Sequence, residues 1–335
     1  MTSIKTTKEK RVVSFPTMDE IKKEARKGGV ETKGASFQER QELRSAVRSY
    51  HDIQKLRIAV GNRIAASFRT KLGLEPSSSE DSDAEAKKIL DTVRKEYERI
   101  TDGIAKITRS FKSDSTIITS HAEMSLLEYY DYLLSAEGNA KDILQDLVEP
   151  FPIYQRYLSK IRGVGTVISA VIIAEYDVNL SETVSKMWAK AGLDVVVNEG
   201  GVGSGRSKRK EHLVPRTYTN RKGEVIETVG ITFSPILKST LVEIGASCFI
   251  RLGNQYTPIY YNYKHRLENH VKYKDVSKAH RDRMAKRYMM KIFLQDLYPI
   301  WREMYGLPVT LPYHEAKLGM VHHESGVPKP TTKAL

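Results

Sequence analysis

Between Phe37 and Leu72 the apolar residues Leu43, Val47, Tyr50, Ile53, Leu56, Val60, Ile64, Phe68 and Leu72 return every three or four positions. A strand alternates every second residue, whereas this spacing lines one face of a continuous helix, so the segment reads as one long amphipathic helix. Its remaining faces carry Arg40, Arg44, Arg48, Arg57, Arg63 and Arg69, which suit either a solvated face or contact with a polyanion or partner. The helix ends near Gly73, and an acidic, serine-rich loop over 75–83 follows, with Ser82 or Asp83 placed to cap the next element. Ala84 to Phe111 and Ser120 to Val148 read as two further helices. Long helices joined by short loops point to a helical hairpin or coiled-coil arm, a device for spacing or oligomerisation.

Glu149-Pro150-Phe151-Pro152 breaks this pattern and marks a domain boundary. Four segments result: a polar, disordered leader over 1–36, a helical coiled-coil arm over 37–149, a second domain over 150–308 and a flexible tail over 309–335. In the second domain Thr217-Tyr218-Thr219, the turn Asn220-Arg221-Lys222-Gly223 and the run Glu224 to Phe233 predict a small β-hairpin. Helices are expected over Pro235 to Leu252, Tyr256 to Tyr273 and Val276 to Tyr305, so the fold class is mainly α.

Charge separates the two halves. Residues 1–150 hold 26 Lys+Arg against 25 Asp+Glu, and residues 151–335 hold 28 against 16, which puts nearly all of the formal net charge of +13 in the second half. A polyanion such as DNA or RNA would be drawn there. The single cysteine, Cys248, lies among Ile244, Ala246 and Phe249 and is expected to be buried and reduced, in keeping with a cytoplasmic protein. The first residues lack the apolar core of a signal peptide, and no run is long and apolar enough to span a bilayer, so no membrane association is expected.

The most informative segment runs from Tyr157 to Ile173. Apolar residues precede Gly163-Val164-Gly165, and an apolar helix begins after Thr166, which is the pattern of a helix-hairpin-helix. Glycines permit the tight turn and a close approach of backbone to phosphate, the free N–H groups at the start of the second helix can receive it, and Lys160 and Arg162 add charge. An ordinary helix–helix turn is the alternative. Lys278, Arg281, Arg283, Lys286, Arg287 and Lys291 share one helix backed by apolar residues, a candidate backbone-binding face. Tyr256, Tyr260, Tyr261, Tyr263 and Tyr273 suit core packing or stacking on bases. Glu175 with Asp177, and His322, His323 and Glu324, form no complete ligand set, and no metal site is assigned.

Taken in order, the Gly-x-Gly turn, Ala174-Glu175-Tyr176-Asp177, Met187 to Leu193, Arg221 to Glu224, Ser234 to Lys238, Ile244 to Ser247, Tyr260 to Lys264, Ala279-His280 and Arg287 to Leu294 resemble the C-terminal domain of insertion-sequence family one-ten transposases. The resemblance covers roughly residues 150–308, and the arginine-rich helix from Phe37 resembles the coiled-coil linker that precedes that domain. In the family, an N-terminal nuclease domain supplies four carboxylates for metal ions, a serine of the C-terminal domain attacks DNA, and a structured RNA guides the reaction. The resemblance implies that Ser204, in the Ser204-Gly205 context, is the nucleophile, with Ser207 the alternative and Ser234 a distant third. Arg206, Lys208, Arg209 and Lys210 beside it would hold the scissile phosphate.

The acidic domain cannot be built from the leader. The expected activity is therefore binding of DNA, and of structured RNA, in transposition or recombination, with no cofactor of its own. Mg²⁺ would enter only with an acidic nuclease-domain partner, and the arm implies a homo-oligomer. A complete serine-dependent recombinase and a non-catalytic coiled-coil nucleoid or scaffold protein stay open as other readings.

Overall fold

The structure is a computed structural model that describes residues 16–31, 36–74, 83–102, 114–197, 203–205, 213–273 and 275–316. It is mainly helical, with small antiparallel β elements, and its contacts divide it into two units: residues 41–147, and residues 1–40 with 148–335.

The first unit contains most of α2 (Phe37–Arg69), with α3 (Asp83–Thr101) and α4 (His121–Val148). Val60, Ile64 and Phe68 of α2, Ile89, Val93 and Tyr97 of α3, and Met124, Leu127 and Tyr130 of α4 form one buried cluster, each set at three- or four-residue spacing. Each helix thereby buries the stripe that its sequence draws. The α2 stripe is interrupted by polar residues, and α4 answers them. The Glu137 carboxylate accepts from Gln54 Nε2 at 3.0 Å, from the Tyr50 hydroxyl at 3.4 Å and from the Arg57 guanidinium, which also reaches the Tyr130 oxygen at 3.4 Å. A half-buried polar layer of this kind sets register, because sliding either helix would leave a charge without its partner. Towards the other end Lys71, just beyond α2, pairs with Glu123, so α2 and α4 run antiparallel, while Arg94 of α3 meets Asp131 of α4 at 3.0 Å.

The second unit is organised on α11 (Lys278–Met304). From Met289 to Met304 nearly all of its side chains are buried, as expected of a helix enclosed on every side. Around it lie α5 (Pro152–Arg156), α6 (Thr166–Glu175), α7 (Val184–Lys190) and α10 (Thr257–Asn269), together with one helical run in which α8 (Pro235–Ser239) and α9 (Ala246–Leu252) are joined by a π-helical turn over Thr240–Gly245. That run matches the helix expected over Pro235 to Leu252. It opens at the Ser234 cap and closes at Gly253, whose φ of 64° is left-handed. Two short strands, β1 (Val195–Val197) and β2 (Gly203–Gly205), pair antiparallel, a pairing that the sequence had not indicated. The expected hairpin is present as β3 (Leu213–Thr219) and β4 (Val225–Ile231), in register from Leu213 opposite Ile231 to Thr219 opposite Val225.

The structure departs from the sequence expectation at both ends. Residues 18–27, assigned to a disordered leader, form helix α1 (Met18–Lys27), started by a capping box in which Thr17 and Glu20 satisfy each other's backbone N–H. Its Ile21 and Ala25 are buried, and Lys22 donates to Asp296 of α11 at 2.7 Å, with 11% and 2% of the two side chains exposed. Asp296 also accepts from the Tyr256 hydroxyl at 3.0 Å, so the buried carboxylate is matched on both oxygens. At the other end, the stretch assigned to a flexible tail includes α12 (Tyr313–Ala316), and the buried Arg302 holds the chain leading to it through the Pro308 carbonyl at 2.6 Å. The same guanidinium donates to Val178 and Ser181 carbonyls at 2.7 and 3.0 Å. Residues 1–15 and 317–335 of the two terminal segments lie outside the described residues.

Candidate nucleic-acid interface

The chain enters the Gly-Val-Gly turn from α5 through a 3-10 turn over Leu158–Lys160. The Val164 N–H donates to the Ile161 carbonyl at 3.0 Å, closing a β-turn in which Gly163 takes φ +94°, a conformation costly for any residue with a Cβ. The same glycine faces the core: a Cβ on it would lie 3.1 Å from the Phe249 ring and 3.5 Å from the Cys248 backbone. Asn254 fixes the outer side of the turn by donating to the Arg162 carbonyl at 2.9 Å. Gly165 does something else. It is the N-cap of α6 at φ −94°, ψ −178°, ordinary extended backbone, and nothing lies within 4 Å of where its Cβ would be.

No side chain from the cap covers the start of α6. Lys160, Arg162 and Gly165 are exposed and Thr166 is half-buried, so two cationic side chains lie within a few residues of a helix N-terminus that has no side-chain cap. The helix dipole and the cations favour an anion at the same place. All the turn residues singled out from sequence thus come together, with Gly163 serving the fold and Gly165 leaving the helix end open.

The basic residues of α11 separate by environment. Arg281 donates to the carbonyls of Tyr273 and Val276 at 3.0 and 2.8 Å. Lys286 pairs with Asp282 at 3.0 Å, and Arg287 reaches the Gly192 and Asp194 carbonyls, both at 3.4 Å. Lys291 lies 4.3 Å from the Trp188 ring centroid, and burial lowers the pKa of both Lys291 and Arg287. Much of this candidate face is thus committed to holding loops against the helix. Lys278 and Arg283 remain exposed, and so are Arg266 and Lys272 in the α10 segment of the same hairpin, which the sequence does not single out. Arg266 and Lys272 lie on and just beyond α10, outside the single-helix stripe from which the others were read.

The tyrosines divide likewise. Tyr256 is buried, stacked at 5.6 Å on Phe249, and Tyr260 is buried with its hydroxyl on Asp282 at 2.5 Å; burial and that carboxylate push its pKa up. Tyr263 stacks on Tyr288 at 4.2 Å, and Tyr273 is half-buried beside His270. Only Tyr261, 54% exposed, presents most of its ring outward.

Ser204 lies on β2, its backbone paired with Val196 of β1, while Arg206, Ser207, Lys208, Arg209 and Lys210 lie outside the described residues. Ser234 is the N-cap of α8 and accepts from the Leu237 N–H at 3.2 Å. Asp177 pairs with Arg40 at 2.6 Å and accepts from the Asn179 N–H at 3.0 Å, so its carboxylate is engaged within the fold. Among the described residues no group of three or more His, Cys, Asp or Glu is placed to hold a metal ion, and His322, His323 and Glu324 lie outside them. Cys248 is half-buried rather than buried, with its Sγ 3.9 Å from the Arg251 guanidinium. Among the described residues no helix is long and apolar enough to cross a membrane. In comparisons with protein-family models, curated proteins and solved structures, the chain matches none.

Proposed function

We propose that this chain is a cytoplasmic nucleic-acid-binding protein of DNA transposition or recombination, in which residues 150–308 act as a helix-hairpin-helix domain and residues 37–149 as a coiled-coil arm that joins copies of the chain. The observation that carries the reading is the Gly163–Gly165 turn, which starts α6 without a side-chain cap a few residues after the exposed Lys160 and Arg162. The second support is the uneven charge, almost all of whose excess lies in the half that contains the turn. The exposed Arg266, Lys272, Lys278 and Arg283 extend the basic surface on the α10–α11 hairpin. In this reading DNA is the first polymer bound and structured RNA a second. Ser204 is the nucleophile, working with an acidic nuclease-domain partner that brings Mg²⁺.

Equilibrium binding to linear and branched DNA over a salt series tests the binding step. Affinity should fall steeply as salt rises, because each phosphate contact releases a counterion. No binding to either DNA at about 0.1 M salt would overturn the reading. For the chemical step, the purified chain with Mg²⁺ should leave a supercoiled plasmid intact. With an acidic-domain partner it should join strands, and Ser204→Ala should then abolish joining while binding persists.

A further inference from the structure

The β3–β4 hairpin is exposed on both faces. Leu213, Pro215, Thr217 and Thr219 share one face with Ile231, Val229, Glu227 and Val225, and Val214, Arg216 and Tyr218 share the other with Gly230, Thr228 and Ile226. Val225 is 70% and Val229 61% exposed on the first face, and Tyr218 is 53% exposed on the second. An isolated two-stranded ribbon is marginal in water, since neither face buries enough apolar surface to hold it.

Its tip, in contrast, is tightly specified. The Asn220 side chain accepts from the N–H groups of Lys222 and Glu224 at 2.9 and 3.0 Å and donates to the Glu224 carboxylate at 2.7 Å. The Gly223 N–H returns to the Asn220 carbonyl at 3.0 Å, with Gly223 at φ +84°, as a type I turn closed by a glycine bulge requires. Arg221 and Lys222 are thus held at the apex. The nearest acid, Glu224, is engaged by Asn220, and among the described residues neither cation has an ion-pair partner. Arg216, lower on the ribbon, is used internally: it donates to the Ile231 carbonyl at 2.8 Å and lies across Gly230.

From this geometry we infer that the β3–β4 ribbon is a docking element for duplex nucleic acid, lying in a groove with Arg221 and Lys222 on the phosphates at its rim. Dimensions and charge favour this occupant. Seven-residue strands at about 3.4 Å per residue make a ribbon of roughly 20 Å, and a two-stranded ribbon is one of the elements that a major groove about 12 Å wide admits. Two cations at a hydrogen-bonded apex, without an ion-pair partner among the described residues, complement a phosphate backbone, while the hydroxyls of Tyr218 and Thr228 face the bases from between the strands' apolar residues. The inference rests on the nucleic-acid reading above and names the element that enters the duplex.

The test uses the full chain and a linear duplex, with binding followed by fluorescence anisotropy over a salt series. Arg221→Ala with Lys222→Ala should flatten the log–log salt slope by about 1.8, which is up to about 60-fold in affinity at 0.1 M salt. Circular dichroism should be unchanged, since both side chains are exposed at the tip. The charge-matched control Lys87→Ala with Lys88→Ala, exposed on the arm, should leave the slope as it was. Binding by the wild type that keeps its slope in the tip variant overturns the inference alone. So does an equal drop in the arm control, or loss of self-association in the tip variant with DNA binding intact, which would assign the ribbon to a protein partner. Absence of duplex binding by the wild type overturns the proposed function itself.

Discussion

Substituting the two glycines of the Lys160–Thr166 turn should have different effects, Gly163 on stability and Gly165 on binding. Gly163→Ala forces a Cβ into φ +94°, which costs about 1–2 kcal/mol for backbone alone. The new methyl would also lie 3.1 Å from the Phe249 ring, itself held between Tyr256 and Phe293 at centroid distances of 5.6 and 5.5 Å and so poorly able to yield. Together these predict a loss of about 2–3 kcal/mol, or about 4–12 °C in melting temperature for a unit of this size. Gly165→Asp meets no steric obstacle, because its backbone is extended and the space around it is open. Aspartate is a good N-cap and its charge suits the helix dipole, so stability should rise by about 0.5–1 kcal/mol. The same charge occupies the amides that a phosphate would take and repels it by about 1–3 kcal/mol, a loss of about 5- to 150-fold in affinity. Differential scanning fluorimetry and DNA-binding titrations on the same preparations read both effects. If Gly165→Asp is stabilised but binds as wild type, the open helix end is not a phosphate site. If Gly163→Ala is as stable as wild type, the division of labour between the glycines is wrong.

Three further outcomes follow from individual contacts. Lys22→Met leaves the Asp296 carboxylate buried without its cation and should cost about 3–5 kcal/mol in urea unfolding, part of which Lys22→Met with Asp296→Leu should recover. Glu123 is held below the usual carboxylate range: burial pushes its pKa up, but the Lys71 ammonium and the Thr119 and Ser120 N–H groups together outweigh that. A lowered folded pKa contributes stability that is present above the unfolded value, about 4.3, and is lost as pH falls through the folded value, so Glu123→Gln should flatten the acid limb of a pH–stability curve. Replacing Arg266, Lys272 and Arg283 with alanine should reduce the salt slope of DNA binding by about 0.9 for each residue that meets a phosphate, and an unchanged slope removes the α10–α11 hairpin from the interface.

The sequence by itself determined most of the long helices and the hairpin turn, because both are encoded locally. The spacing from Leu43 to Phe68 drew the buried stripe of α2, the apolar run from Pro235 to Leu252 drew the α8–α9 run, and Asn220 to Gly223 specified the hairpin tip. Gly163-Val164-Gly165 marked the turn, but the sequence could not assign the positive φ to Gly163 and the open cap to Gly165, since that depends on Phe249 and Asn254, far along the chain. Helical periodicity also placed Arg281, Arg287 and Lys291 on a basic face without showing what lies opposite. Carbonyls of Tyr273, Val276, Gly192 and Asp194 and the Trp188 ring engage them, and these partners come from loops that only folding brings to α11. Residues 18–27 looked like leader because polar residues dominate them. Their order rests on Lys22 meeting Asp296, 274 positions away, and a buried pair at that separation leaves no local trace, because each charge is paired only once the chain between them has folded.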